Sequence, residues 1–110
     1  MIEKILLDYL SENMEEPVSF EINEKEKTFV TIEKTGTSSR NYIYSATFAI
    51  KSHAPSLYEA AVLNEKVKEV MAGIEELDVI SQCELDTDYN FTDTTTKSYR
   101  YQAVYNIVHY

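Results

Sequence analysis

One hundred and ten residues carry 19 acidic side chains against 10 basic ones, a net charge of −9 with both histidines neutral. A balance of that sign disfavours the cationic face that would release counterions from phosphates, and disfavours docking on anionic lipid, so neither specific nucleic-acid binding nor membrane docking is expected. Apolar residues at 44% and charged residues at 26% are values of a folded chain, and this length sets the expectation of one domain over 1–110.

Residues 2–14 read as the first helix. Ile2, Ile5, Leu6, Tyr9, Leu10 and Met14 recur at helical spacing, with Glu3, Lys4, Asp8 and Glu12 on the other side, and Glu15-Glu16-Pro17 ends the run. The start lacks a basic segment followed by an apolar run, so no signal peptide is expected. Val18, Phe20 and Ile22 alternate and predict a strand over 18–22. Asn23–Lys27 is a solvated turn, and Thr28–Glu33 a second strand. Lys34–Asn41 has no apolar residue and contains Gly36, which predicts a flexible loop. Tyr42–Ser52 alternates Tyr42, Tyr44, Ala46, Phe48 and Ile50 against a more polar set, a long strand with one apolar face.

His53-Ala54-Pro55-Ser56 breaks that strand and opens a second helix. Leu57, Ala60, Ala61, Asn64, Val67, Val70, Met71 and Ile74 share its inner side, and Gly73 marks its end. Asp78–Leu85 predicts a strand, Asp86–Ser98 a polar connection, and Tyr99–His109 a closing strand that must be paired or buried. The order α-β-β-β-α-β-β leads to an α+β two-layer sandwich. Its sheet of about five strands is mainly antiparallel or mixed, with both helices on one face.

Chemistry-bearing patterns are sparse. Asp86-Thr-Asp88-Tyr-Asn90 has the opening spacing of a calcium loop, but Phe91 stands where the turn glycine belongs and Lys97 where the bidentate glutamate belongs. Asn90-Phe91-Thr92 matches a glycosylation sequon without a secretory context. Cys83, the single cysteine, precludes an internal disulfide and reads as a small strand hydrophobe. His53 and His109 lack metal spacing; His53 reads as a loop-end residue and His109 as pointing out of the last strand. No phosphate-binding, nucleophile-elbow or zinc-protease motif occurs, so no catalytic residue, metal or cofactor is expected. Nine tyrosines and only two arginines, Arg40 and Arg100, stand out. Tyrosines in such number read first as sheet-facing and core-rim residues; because tyrosine is also enriched at contact patches, Tyr42, Tyr44, Tyr99, Tyr101 and Tyr105 are interface candidates, and each arginine suits either a neighbour's carboxylate or an intrachain salt bridge.

Several stretches resemble the tail-terminator (tail-completion) proteins of siphophages and Gram-positive prophages, also called minor capsid or head–tail joining proteins. They are Phe29-Val-Thr-Ile-Glu-Lys-Thr-Gly36, Ala54-Pro-Ser-Leu-Tyr-Glu-Ala-Ala61, Leu63-Asn-Glu-Lys-Val67, Asn90-Phe-Thr-Asp93 and Tyr99-Arg-Tyr-Gln-Ala-Val-Tyr105. The resemblance covers nearly the whole chain and its motifs are structural. It implies a virion-tail subunit, assembled in the bacterial cytoplasm, that forms a ring, typically hexameric, on the head-proximal end of the tail tube. Such a ring binds the tail tube protein, stops polymerisation and presents a surface to the head connector protein, without enzymatic activity or cofactor. A free subunit that stays monomeric until it meets the tube fits this picture, and DNA would only pass through the lumen. The mobile loop of such proteins would fall at Lys34–Asn41. Ring or tube contacts are therefore expected at Lys34, Thr35, Gly36, Thr37, Ser38, Ser39, Arg40, Asn41, Tyr42, Tyr44, Tyr99, Arg100 and Tyr101. The competing readings are a connector stopper or adaptor, and a small acidic binding module unrelated to phage.

Overall fold

A computed structural model describes residues 1–40 and 42–110. Helix α1 (Ile2–Asn13) buries Ile2, Leu6 and Leu10, one residue per turn of its inner stripe. It ends before Met14, whose extended backbone leads to Pro17. Helix α2 (Leu57–Met71) starts at Ser56, whose Oγ accepts from the Glu59 backbone N–H at 3.2 Å. Its inner side buries Ala60, Leu63, Asn64, Val67 and Met71. A 3₁₀ turn, Ile74–Glu76, follows, so the buried Ile74 belongs to that turn and not to the helix.

The strands are β1 (Val18–Ser19), β2 (Phe29–Arg40), β3 (Ile43–Ala54), β4 (Ile80–Asn90) and β5 (Tyr99–His109). They form a five-stranded mixed sheet in the order β1-β2-β3-β5-β4, with β1 parallel to β2 and every other pairing antiparallel. The chain is thus α+β with the expected element order. Val30, Ile32, Ala46, Phe48, Ile50, Ala103, Tyr105 and Ile107 of one sheet face form a single core with Ile2, Leu6 and Leu10 of α1 and Leu63, Val67 and Met71 of α2. Each fully buried aliphatic or aromatic side chain there contributes roughly 1.5–3 kcal/mol.

Four boundaries depart from the sequence-based expectation. The segment expected as the loop Lys34–Asn41 is strand as far as Arg40: Gly36 pairs with Thr47 and Arg40 with Ile43. Asn41 lies outside the described residues. The segment is polar because both of its faces are exposed from Glu33 to Arg40; exposure on both faces removes the alternation that marks a strand, while Thr35 and Thr37 retain β-branched preference. Likewise Asp86–Asn90, expected as connection, is the polar second half of β4 and pairs with β5. His53 and Ala54 continue β3 rather than breaking it, paired to Arg100 and Tyr99. Finally, the strand expected over 18–22 shrinks to Val18–Ser19. Ser19 Oγ donates to the Glu21 carbonyl at 2.6 Å, and Asn23 Oδ1 accepts from the Lys25 N–H at 3.0 Å, so local side-chain bonds compete with the ladder.

The molecule is long for its mass, 44 × 25 × 21 Å. Two hairpins cause this. The β2–β3 tip lies at the end where β5 finishes, since Tyr44 pairs with His109. The β4–β5 tip lies at the opposite end, where Tyr99 pairs with Ala54. With two glycines in the chain, neither at positive φ, Tyr42 (φ 66°) and Lys97 (φ 56°) adopt the left-handed conformation at the two tips. For a non-glycine residue that costs roughly 1–2 kcal/mol.

Candidate functional site

The expected interface residues fall into two groups that the fold does not bring together. Lys34 through Arg40, Tyr42 and Tyr44 occupy the β2–β3 hairpin, while Tyr99, Arg100 and Tyr101 begin β5 at the other end. The pairings Tyr44–His109 and Ala54–Tyr99 put a strand length between them, roughly 33 Å at about 3.3 Å per residue.

On the first group, Lys34 faces the helix layer and pairs with Glu3 at 2.9 Å, which holds the Glu3 carboxyl below its usual range. Thr35 Oγ1 donates to the Thr47 carbonyl at 3.3 Å. A bulge between Lys34 and Gly36 re-aims the strand, and a Cβ built on Gly36 meets nothing within 4 Å. Thr37, Ser38, Ser39 and Arg40 are exposed. Tyr42 is 91% exposed and Ile43 and Tyr44 are about half exposed, an aromatic and apolar tip on an acidic chain. Tyr44 stacks on His109 at 5.7 Å between ring centroids, and a shallow groove runs from there past Ile2, Lys34, Thr37 and Ser39.

In the second group, Tyr99, Arg100 and Tyr101 are half-buried. Arg100 Nε donates to the Phe91 carbonyl at 2.8 Å, and its guanidinium lies over the Phe91 ring at 4.8 Å. Tyr105, also a candidate, lies in the core at 4% exposure with its hydroxyl pKa pushed up to about 12 by burial. It is a packing residue and not a contact residue of the free surface.

Sequence reasoning missed a cluster on the sheet face that carries no helix. There Phe29 stacks on His53 at 4.4 Å, and Thr31 Oγ1 meets His53 Nε2 at 3.0 Å. Lys51 pairs with Glu33 at 3.0 Å and lies 5.6 Å from the Phe91 ring centroid. Phe20 and Ile22 rim a shallow depression over these groups. His53 is only 6% exposed, and burial, reinforced by Arg100 and then Lys51, lowers its pKa to about 4. It is therefore neutral at pH 7 and held by packing. The signal was present in the alternation Phe29/Thr31/Glu33 opposite Lys51/His53, once His53 is placed inside the strand.

A second missed cluster joins α2 to β4. Asn64, 1% exposed, donates through Nδ2 to Asp88 at 2.8 Å, and Lys68 Nζ reaches the same carboxylate at 3.0 Å. The Lys68 hydrogen bond, then that of Asn64, holds the Asp88 pKa below its usual range. An asparagine in an apolar stripe was the sequence signal for such a partner. Cys83 is half-buried with its thiol pushed up to about 11, mainly by burial, so it stays a protonated packing group.

Among the described residues, no group of three or more His, Cys, Asp or Glu side chains is placed to hold a metal ion, and no helix is long and apolar enough to cross a membrane. No protein-family model matches the chain, and no curated protein matches it.

Proposed function

We propose that this chain is a structural assembly subunit of a tailed-phage virion, a tail terminator that closes as a ring on the head-proximal end of the tail tube. In that role it stops tube polymerisation and offers its far surface to the head connector. The single observation that carries the reading is the projecting β2–β3 hairpin. Its two-sided exposure, Ser/Thr composition and Tyr42-Ile43-Tyr44 tip suit an arm that orders against a neighbouring subunit or a tube ring. The resemblance of the sequence to tail terminators supplies the kind of neighbour. The other polar clusters support the same reading, because His53, Cys83 and Asp88 are each engaged in packing or pairing within the subunit.

Hairpin contacts to the tube would then involve Arg40, Tyr42 and Tyr44, whereas Tyr99, Arg100 and Tyr101, at the opposite end of the sheet, would face a different neighbour. Imaging of tails assembled without this protein tests the proposal. Overlong tubes are expected; tails of normal length that fail to join heads would instead assign it to the connector.

A further inference from the structure

We infer that the depression on the helix-free face of the sheet binds an extended segment of a partner protein, one that offers a Glu or Asp carboxylate beside an apolar residue. Two cross-strand pairs build its floor. Thr31 of β2 lies opposite Lys51 of β3, and His53 of β3 lies opposite Arg100 of β5. Strand alternation turns all four side chains away from the core that Val30, Ile50 and Ala103 enter. Phe20 and Ile22, just past β1, rim the depression and stand 48% and 65% exposed. Its volume is about 280 Å³. Pockets that enclose whole small ligands run to roughly 300–1,000 Å³, so this one suits a pair of side chains carried by a larger partner.

Charge selects the occupant. Arg100 is fixed in place, with Nε on the Phe91 carbonyl and the guanidinium over the Phe91 ring. Among the described residues, its side-chain hydrogen bond runs through Nε alone, and none of the 19 acidic side chains pairs with it. Asp93 feels its charge, but Asp93 Oδ1 accepts from the Thr95 and Thr96 N–H groups at 3.0 and 3.4 Å. Lys51 lies over the same Phe91 ring and spends one of its three N–H groups on Glu33. Two cations and one carboxylate, Glu33, thus line the depression in a chain of net charge −9. The lowered His53 pKa, caused first by burial and then by Arg100 and Lys51, reports the same local field. A held guanidinium with its fork open matches a carboxylate through two parallel hydrogen bonds. The charge of the whole chain opposes a polyphosphate, and Phe20 and Ile22 supply apolar contact area beside the fork.

The site does not rest on the tail reading; it names the chemistry that Arg100 would meet in whatever assembly the chain serves. Titration of the isotope-labelled full-length chain with the blocked peptide acetyl-Ile-Glu-Val-amide, followed by NMR, tests it. The Arg100 Nε–H and the Thr31 and Lys51 amides are expected to shift and to saturate at millimolar peptide. The glutamine counterpart, acetyl-Ile-Gln-Val-amide, is expected to bind about tenfold more weakly. Arg100→Gln and Arg100→Lys should each lose about tenfold in affinity, since lysine keeps the charge but not the fork. Phe20→Ser/Ile22→Ser leaves every charge in place and should weaken binding several-fold, which keeps the test open if the Arg100 variants fold poorly. No saturable shift at about 10 mM peptide, equal binding of the glutamine peptide, or wild-type affinity in these variants would each overturn the inference. Equal affinity for inorganic phosphate would make the site a general anion site, and self-association lost in Arg100→Gln would give it to a second copy; either result also overturns it. Tail length enters none of these outcomes, so the site and the functional reading fail separately.

Discussion

Gly73 shows how a single residue couples the two helices. A Cβ there would sit 3.0 Å from the Tyr9 hydroxyl, which donates to the Val70 carbonyl at 2.7 Å. Gly73 itself has φ −98°, so an alanine meets no backbone strain. Gly73→Ala is therefore expected to cost about 1 kcal/mol in the native chain by displacing the hydroxyl. In a Tyr9→Phe background the same change is expected to stabilise by about 0.4–1 kcal/mol, because only the loss of unfolded-state freedom remains. A double-mutant cycle by urea unfolding would read the change of sign. Sequence reasoning placed Gly73 at the helix end for its conformational freedom; its nearest neighbour, Tyr9, is 64 positions away and invisible to a local pattern.

His53 gives the residue scale its pH dependence. Its pKa falls from 6.5 in the unfolded chain to about 4 in the folded one. Above pH 6.5 it is neutral in both states and contributes no pH dependence. Between pH 6.5 and 4 the unfolded chain takes up the proton and the folded chain does not, so stability falls with pH by about 1.4 kcal/mol per unit. Denaturant unfolding at pH 7 and pH 4.5 should show a loss of roughly 2 kcal/mol from this group, and His53→Gln should remove that part of the loss. An unchanged pH profile in the variant would mean that the ring is solvated or protonated in the fold. The sequence treatment of His53 as a loop end followed from Pro55 two residues later; pairing of β3 with both β2 and β5 overrides that local breaker.

Among the elements, α2 was readable and its link to β4 was not. The apolar spacing and Ser56 located the helix to within a turn. Its single polar core residue, Asn64, finds its partner on a segment that looks like a loop in one dimension. Asp88→Ala would leave the Asn64 amide unpaired at 1% exposure, where Asn64 Oδ1 already lacks a partner. The expected cost is about 1–3 kcal/mol. Asp88→Asn keeps an acceptor for the amide and should cost less, since it gives up only the charge of the Lys68 pair, whose side chains are 25% and 27% exposed. Equal losses in the two variants, measured by thermal or urea unfolding, would assign the effect to charge instead. The strands divide in the same way. β3 and β5, central and half buried, carry the alternation that locates them. Outer β2 and β4 are polar over their exposed halves, and only their pairing with β3 and β5 identifies them as strand.

For the whole molecule, the element order and the one-sided helix layer followed from periodicity and from the small number of helices available to cover the sheet. The distribution of candidate contacts did not. Neighbours in sequence do not report that one hairpin leads away from the other, so residues grouped as one candidate surface lie at opposite ends of a 44 Å body. That separation suits the proposed role, in which the subunit has distinct neighbours above and below. The most direct measurement is the contour length of tails assembled with and without this protein, in negative stain. The account predicts tubes of uncontrolled length in its absence and a return to uniform length when the purified chain is supplied during assembly. Tails of uniform, normal length without it would contradict the account.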